Sequence, residues 1–281
     1  MKNLSLLTLF VSVLFLTLTE SIAQNYNSTF GQIAYGSGNK DFQFGNNTDN
    51  GNMWLLTLDH VSEWSYGGNY AFINFMAADN MIPDLQFDQN GAPIFDPATG
   101  APVEGTEGPI RLYTEWSPWL SLNKITGKDC GFWIFKDFSA EGQLNVSYSG
   151  YYALLGGLGV TFKTANYDTF LKLMVYYKSA IFAGQQSNLA QITGVYDIPL
   201  SRKLGIRLQG FFDFIPNGVD TENNNYMWGT DFLAQPRVLY NLGQHFMPDE
   251  FTKLEVGLDL YMHYNSELSV TAPQAAVRLT W

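Results

Sequence analysis

The chain has 281 residues, enough for one large domain or two small ones, and its 15 Lys and Arg against 26 Asp and Glu leave a formal net charge of -11. That balance sets nucleic-acid binding aside, because phosphate contacts need clustered Lys and Arg. Aromatic residues make up 16% and charged residues 15%; with a mean hydropathy of -0.08 this excludes a bundle of apolar transmembrane helices but not a barrel, whose polar lumen offsets its apolar exterior.

The first residues read as a secretory signal. Lys2 supplies the positive end, the stretch from Leu4 to Leu18 is apolar apart from Ser and Thr, and Ser21-Ile22-Ala23 places small residues where a signal peptidase reads. The run ends at Glu20 and is short for a membrane anchor, so residues 1–23 are expected to be removed and residues 24–281 to form the mature chain.

After that, period two dominates. From Lys253 to His263, Leu254, Val256, Leu258, Leu260 and Met262 share one face, and Lys253, Glu255, Asp259 and His263 share the other. The same split recurs around 110–122, 138–147 and 204–214, giving twelve expected strands at 28–35, 53–64, 69–76, 110–122, 137–147, 151–163, 169–178, 189–198, 204–214, 231–242, 252–263 and 274–281. An even count of half-polar strands points to an all-β fold, a transmembrane antiparallel β-barrel of the bacterial outer membrane.

Loop lengths fit that fold. Residues 36–52, 77–109, 215–230 and 265–273 are the expected outer loops, and 65–68, 123–129, 165–168 and 199–203 the short inner turns; a short outer loop at 147–151 and a long inner one at 243–251 depart from the pattern. The 77–109 extracellular loop holds six acidic residues and no Lys or Arg, with Asp96-Pro97 starting a turn between two short arms. Calcium could bind such carboxylates, but Asp88-Gln89-Asn90-Gly91 lacks the remaining ligands of a regular calcium loop, so a solvated acidic loop is preferred and no metal or cofactor is expected. Cys130 is the only cysteine, which excludes an intrachain disulfide and a cysteine metal cluster.

The rival is a soluble β-sandwich or lipocalin-like barrel, whose apolar face would point inward. Against it stand charged faces on nearly every strand, aromatics near strand ends at Trp54, Trp64, Tyr177 and Phe214, and a final strand that stops on Trp281, an ending that resembles the signal read by the barrel assembly machinery. By parity the lumen carries Asp59, Glu63, Arg111, Glu115, Glu141, Lys163, Lys172, Lys178, Asp197, Arg207, Asp213, Asp231, Arg237, Lys253, Glu255, Asp259 and Arg278. Both signs are represented, which suits a narrow pore for neutral or zwitterionic solutes; the competing reading is that the charges pair and seal the barrel.

The segment from Leu112 to Asp129, Leu-Tyr-Thr-Glu-Trp-Ser-Pro-Trp-Leu-Ser-Leu-Asn-Lys-Ile-Thr-Gly-Lys-Asp, resembles the nucleoside-specific, Tsx-like outer-membrane channel family. Supporting fragments are Thr57-Leu58-Asp59-His60, Trp64-Ser65-Tyr66-Gly67-Gly68-Asn69 and Gln209-Gly210-Phe211-Phe212-Asp213-Phe214. The resemblance implies a twelve-stranded barrel passing small polar solutes, nucleosides among them, through a lumen with weak aromatic and polar sites. Compatible lumen residues are Tyr70, Phe72, Asn74, Tyr113, Glu115, Trp119, Phe211 and Asp213. Trp119 stands where the family commonly has Arg, and the 77–109 loop reads as an insertion.

Two other classes compete. An enzyme is disfavoured, because His60, His245 and His263 form no evident constellation and the nearest approach, His263 with Asp259, spans about 13 Å of strand. A receptor or adhesin would use the outer loops with a sealed barrel as scaffold.

Overall fold

The computed structural model describes residues 26–41, 46–78, 81, 96–97, 110–148, 151–164, 169–182, 185–216, 230–247, 252–266 and 268–281. The expected leader at 1–23, the calcium reading at 88–91 and most of the 77–109 loop lie outside them.

The barrel strands are β1 (Tyr26–Gly36), β2 (Met53–Trp64), β3 (Gly67–Ala77), β4 (Ile110–Ser121), β5 (Phe135–Ser147), β6 (Tyr152–Phe162), β7 (Phe170–Phe182), β8 (Gln185–Ser201), β9 (Ile206–Ile215), β10 in two pieces (Asp231–Ala234 and Arg237–Asn241), β11 (Lys253–Tyr264) and β12 (Ser269–Thr280), and a separate two-residue pairing of Lys40–Asp41 with Asn46–Asn47 lies in the connection from β1 to β2. Each pairs antiparallel with the next, and β12 returns to β1 with Phe30 opposite Thr280 and Gly36 opposite Gln274. The result is the expected closed, twelve-stranded antiparallel barrel.

Several expected edges move. β10 breaks at Gln235-Pro236, where proline has no N–H to give to the ladder, although Leu260 N–H still donates to Pro236 O. β12 starts at Ser269 rather than 274, so Pro273 lies inside a strand. It is tolerated because its ring nitrogen faces the place where β1 ends, while Leu260, its partner on β11, directs its own N–H towards β10. The expected inner turn at 123–129 contains a one-turn helix, α1 (Leu122–Thr126), with Ser121 Oγ accepting from Lys124 N–H at one end and Gly127 at φ 64 closing the other.

Among the described residues, parity holds from strand to strand. Leu56, Leu58, Leu154, Leu158, Leu258 and Val277 are exposed on the outside, with Leu158 at 72% and Leu258 at 66%. Tyr35, Trp54 and Tyr152 are exposed near the loop end of this belt, and Tyr66, Phe246 and Trp281 near the turn end. On the inside Gln32, Asp259, Glu255 and Arg278 are buried, as are three apolar clusters centred on Leu155 and Tyr176, on Met53 and Met76, and on Tyr261 and Val270. A soluble lipid carrier would show the reverse, an apolar interior behind a polar surface.

If the belt lies in lipid, Leu158→Arg costs about 2–4 kcal/mol when the protein is unfolded by urea from phospholipid vesicles, as expected for Arg near the bilayer midplane. Denaturation followed by tryptophan fluorescence measures this, and an unchanged midpoint would mean that the outer wall faces water.

Candidate functional site

The interior is the candidate site, and the register decides what meets there. Asp59, Phe72, Glu115 and Asn145 form one row across β2 to β5, with Thr57, Asn74, Tyr113 and Ser147 in the row nearer the loop end. All eight lumen residues expected from sequence sit on inward positions of these ladders or of β9. Tyr70, Phe72 and Tyr113 form a continuous run of rings, with centroids 5.8 and 5.7 Å apart. Asn74 accepts a hydrogen bond from Thr57 (2.6 Å), and Glu115 accepts one from Ser117 (2.9 Å).

Trp119 stands apart from that run. Its ring lies across Gly68, where a side chain would meet it at 2.3 Å, and Lys172 Nζ sits 4.7 Å from its centroid. Lys172 also pairs with Glu141 (2.7 Å), and Gly159 leaves the space that this carboxylate occupies. Phe211 faces the lumen beside Val195, its cross-strand neighbour on β8.

Asp213 joins a polar chain on the far wall, where Lys178 donates to Gln191 (3.0 Å), Gln191 to Thr193 (2.9 Å) and Thr193 to Asp213 (2.5 Å). Tyr113 and Asp213, from strands well apart round the circle, line one cavity with Asn145, Tyr151, Lys178 and Asp231. Its volume is about 20 Å³. That is room for about one water, so side chains span the barrel at this height.

Nearer the turn end a charged layer crosses the lumen. Arg207 forms a fork with Asp197 and stands 3.7 Å from Glu255, which in turn lies 3.3 Å from Arg278 Nε. Arg278 reaches Gln209 with an N–H (2.6 Å) and stacks its guanidinium on Phe30, 3.9 Å from the ring centre. Asp259 accepts from Gln32 (2.9 Å) and Gln235 (3.3 Å), with Arg237 Nε at 3.6 Å. The mixed signs expected of the lumen are therefore present and largely paired, and the wide route that a twelve-stranded circumference allows is occupied at these levels. Two of the expected lumen charges lie at its margin: Glu63 binds Lys124 of α1 (2.8 Å), and Lys163 lies just past the end of β6, exposed.

At the loop end the lumen meets a residue that strand parity could not place. Asp41, in the connection from β1 to β2, is fully buried and accepts hydrogen bonds from Tyr261 (2.5 Å) and His263 Nδ1 (2.6 Å). The other imidazole nitrogen of His263 contacts Asp231 at 2.7 Å. The connection supports its own shape, with Lys40 Nζ donating to Thr48 O and Asp49 O and Asn39 Nδ2 to Gly51 O. His263 thus has its partners at Asp41 and Asp231, not at Asp259. A long separation in sequence hid the first of these; only a loop that enters the barrel brings them together.

No known family model matches the chain. No curated protein matches it either. Among solved structures it aligns with the KdgM porin in complex with disordered oligogalacturonate over 90% of this chain and 98% of that one, at 9% identity and a TM-score of 0.45. It also aligns with OccAB2 of Acinetobacter baumannii (92% and 98% covered, 8% identity, TM-score 0.32) and with OpdK of Pseudomonas aeruginosa (92% and 99% covered, 11% identity, TM-score 0.27).

Breaking a buried ion-pair network by removing one partner leaves an uncompensated charge. Asp41→Ala and His263→Ala should each destabilise the barrel, and the double variant should fall short of the sum by about 1–3 kcal/mol because both remove one interaction. A double-mutant cycle in urea reads this coupling; additive losses would show that the two side chains do not act together.

Proposed function

We propose that this protein is an outer-membrane channel through which small polar solutes diffuse passively, in a conformation held narrow by the Asp41 contact and the charged layer beneath it. The supporting observation is the inward face itself: a closed wall with an apolar exterior encloses a column of paired charges, amides and rings. In a barrel whose interior served packing alone, burying so many ions would be a poor choice, since apolar residues of like volume stabilise at least as well. Polar partners have another property. They can be exchanged for water or for a solute at little net cost, which apolar packing cannot match.

Nucleosides are the solute class proposed. The rings of Tyr70, Phe72 and Tyr113 offer stacking to a base, while Asn74, Glu115 and Asp213 offer partners to sugar hydroxyls. Weak successive contacts allow entry without trapping. The filled cross-section favours one alternative, a sealed barrel that presents its outer loops to a ligand.

Single-channel recording in planar bilayers separates the two. The channel reading predicts small unitary conductances that nucleosides reduce in a dose-dependent way, a higher open fraction for Asp41→Ala, and conductance that survives deletion of residues 86–104. Phe72→Ala and Tyr113→Ala should each weaken nucleoside block by roughly 5- to 150-fold, the equivalent of about 1–3 kcal/mol per lost stacking contact. Silence from both the parent and Asp41→Ala would favour the sealed scaffold; conductance indifferent to nucleosides would remove that solute class and keep the channel.

A further inference from the structure

At the turn end, between β4 and β6, the chain builds a feature the lumen does not use. After α1 the segment 128–134 folds back against the outer wall, tied by Lys163 N–H donating to Ile134 O (2.8 Å) and Phe135 N–H to Phe132 O (2.9 Å). Phe132 stacks on Phe138, with centroids 5.6 Å apart and planes at 17°, and meets Phe135 edge-on at 5.5 Å. Phe135 leans on Phe162 at 5.6 Å. Phe138 and Phe162 lie on the outward parity of β5 and β6, because Ser139 and Thr161 beside them belong to the inward ladder.

The ring cluster is therefore continuous with the apolar belt at Val160 and Leu158. Three further observations bear on it. Trp133 is 78% exposed and holds φ 51, the left-handed region that a bulky L residue rarely adopts unless its surroundings impose it. Ile125 on α1 and Ile134, the chain neighbour of Trp133, are exposed as well. Lys136 and Lys163, the chain neighbours of Phe135 and Phe162, are exposed, as are Lys128 and Asp129 ahead of Phe132, so the exposed charge of the segment is positive on balance and suits anionic phosphates.

We propose that residues 122–138 form a foot that inserts its rings into the headgroup–acyl boundary of the phospholipid leaflet at the turn end, fixing the depth and tilt of the barrel. Aromatic side chains favour that boundary because they are apolar in body and tolerant of water at the edge. The inference rests on the membrane-channel reading of the outer wall, and the occupant is phospholipid in place of a protein because the belt that the cluster extends is itself the proposed lipid surface.

The test uses the full barrel in vesicles of phosphatidylcholine brominated on acyl carbons near the glycerol, compared with unbrominated vesicles and with aqueous iodide. Subtracting the emission of Trp133→Phe from that of the parent isolates Trp133; subtracting that of Trp54→Phe isolates a belt residue as control. The expected result is that Trp133 emission is blue-shifted, loses most of its intensity in brominated lipid and resists iodide. If iodide alone quenches Trp133 while bromolipid quenches Trp54, the foot is refuted and the membrane barrel stands. If neither reagent reaches Trp133, protein covers it, a second copy or another chain, and the proposal fails. If bromolipid reaches neither tryptophan, the membrane reading fails with it.

Discussion

A strand in a bilayer has no water to bond with, so every backbone N–H and C=O must find a partner in the adjacent strand and the last strand must find the first. Here the last strand meets the first over Phe30–Gly36 and Gln274–Thr280, extended by the reciprocal bonds between Thr29 and Trp281 (2.8 and 2.9 Å). Register at this seam sets parity for the whole circle. A slip of one residue would turn Arg278 and Glu255 outward and bring Val277 and Val256 inward, which in lipid is prohibitive. The chemistry of the lumen thus follows from the same hydrogen bonds that remove the sheet edge.

What fills the lumen is a mixed packing, in which three small apolar clusters alternate with networks of paired polar and charged groups. Some of its oxygens, Gln32 Oε1, Asp259 Oδ1 and Gln274 Oε1, are buried without a hydrogen bond from another described residue. Such groups gain when water reaches them. The layer built on Asp197, Arg207, Glu255 and Arg278 joins β8, β9, β11 and β12, and the Asp41 contact above it joins the β1–β2 connection to β11. Loop and layer lie at different heights in the barrel.

Much of this was legible in residue order. Period two placed β2 with both its ends, Met53 and Trp64, and put Asp59, Glu115, Asp213 and Arg278 on the inner face, because strand geometry leaves a side chain only two directions. What alternation could not supply was contact across the barrel: the Tyr113–Asp213 cavity depends on curvature, and the Asp41–His263 pair depends on the path of a loop. Prolines misled in two ways. Pro273 read as a loop residue although it sits at the height where β1 ends, and Pro236 interrupts a strand that its neighbours' pattern continues. The Leu112–Asp129 segment that carries the family resemblance forms most of β4 and all of α1, but the solute it implies depends on lumen contacts that motif spacing does not encode.

Everything in the lumen depends on the direction of each face, apolar outward and polar inward. That direction is tested most directly by spin labels placed one at a time along Lys253–Tyr264, in a Cys130→Ser background, with accessibility to oxygen and to a water-soluble nickel complex measured in vesicles. With the outer face in lipid, labels at Val256, Leu258, Leu260 and Met262 meet oxygen strongly and nickel weakly, while those at Glu255, Gly257, Asp259 and Tyr261 show low oxygen access. Uniform access along the strand, or nickel reaching the Leu258 face, would contradict it.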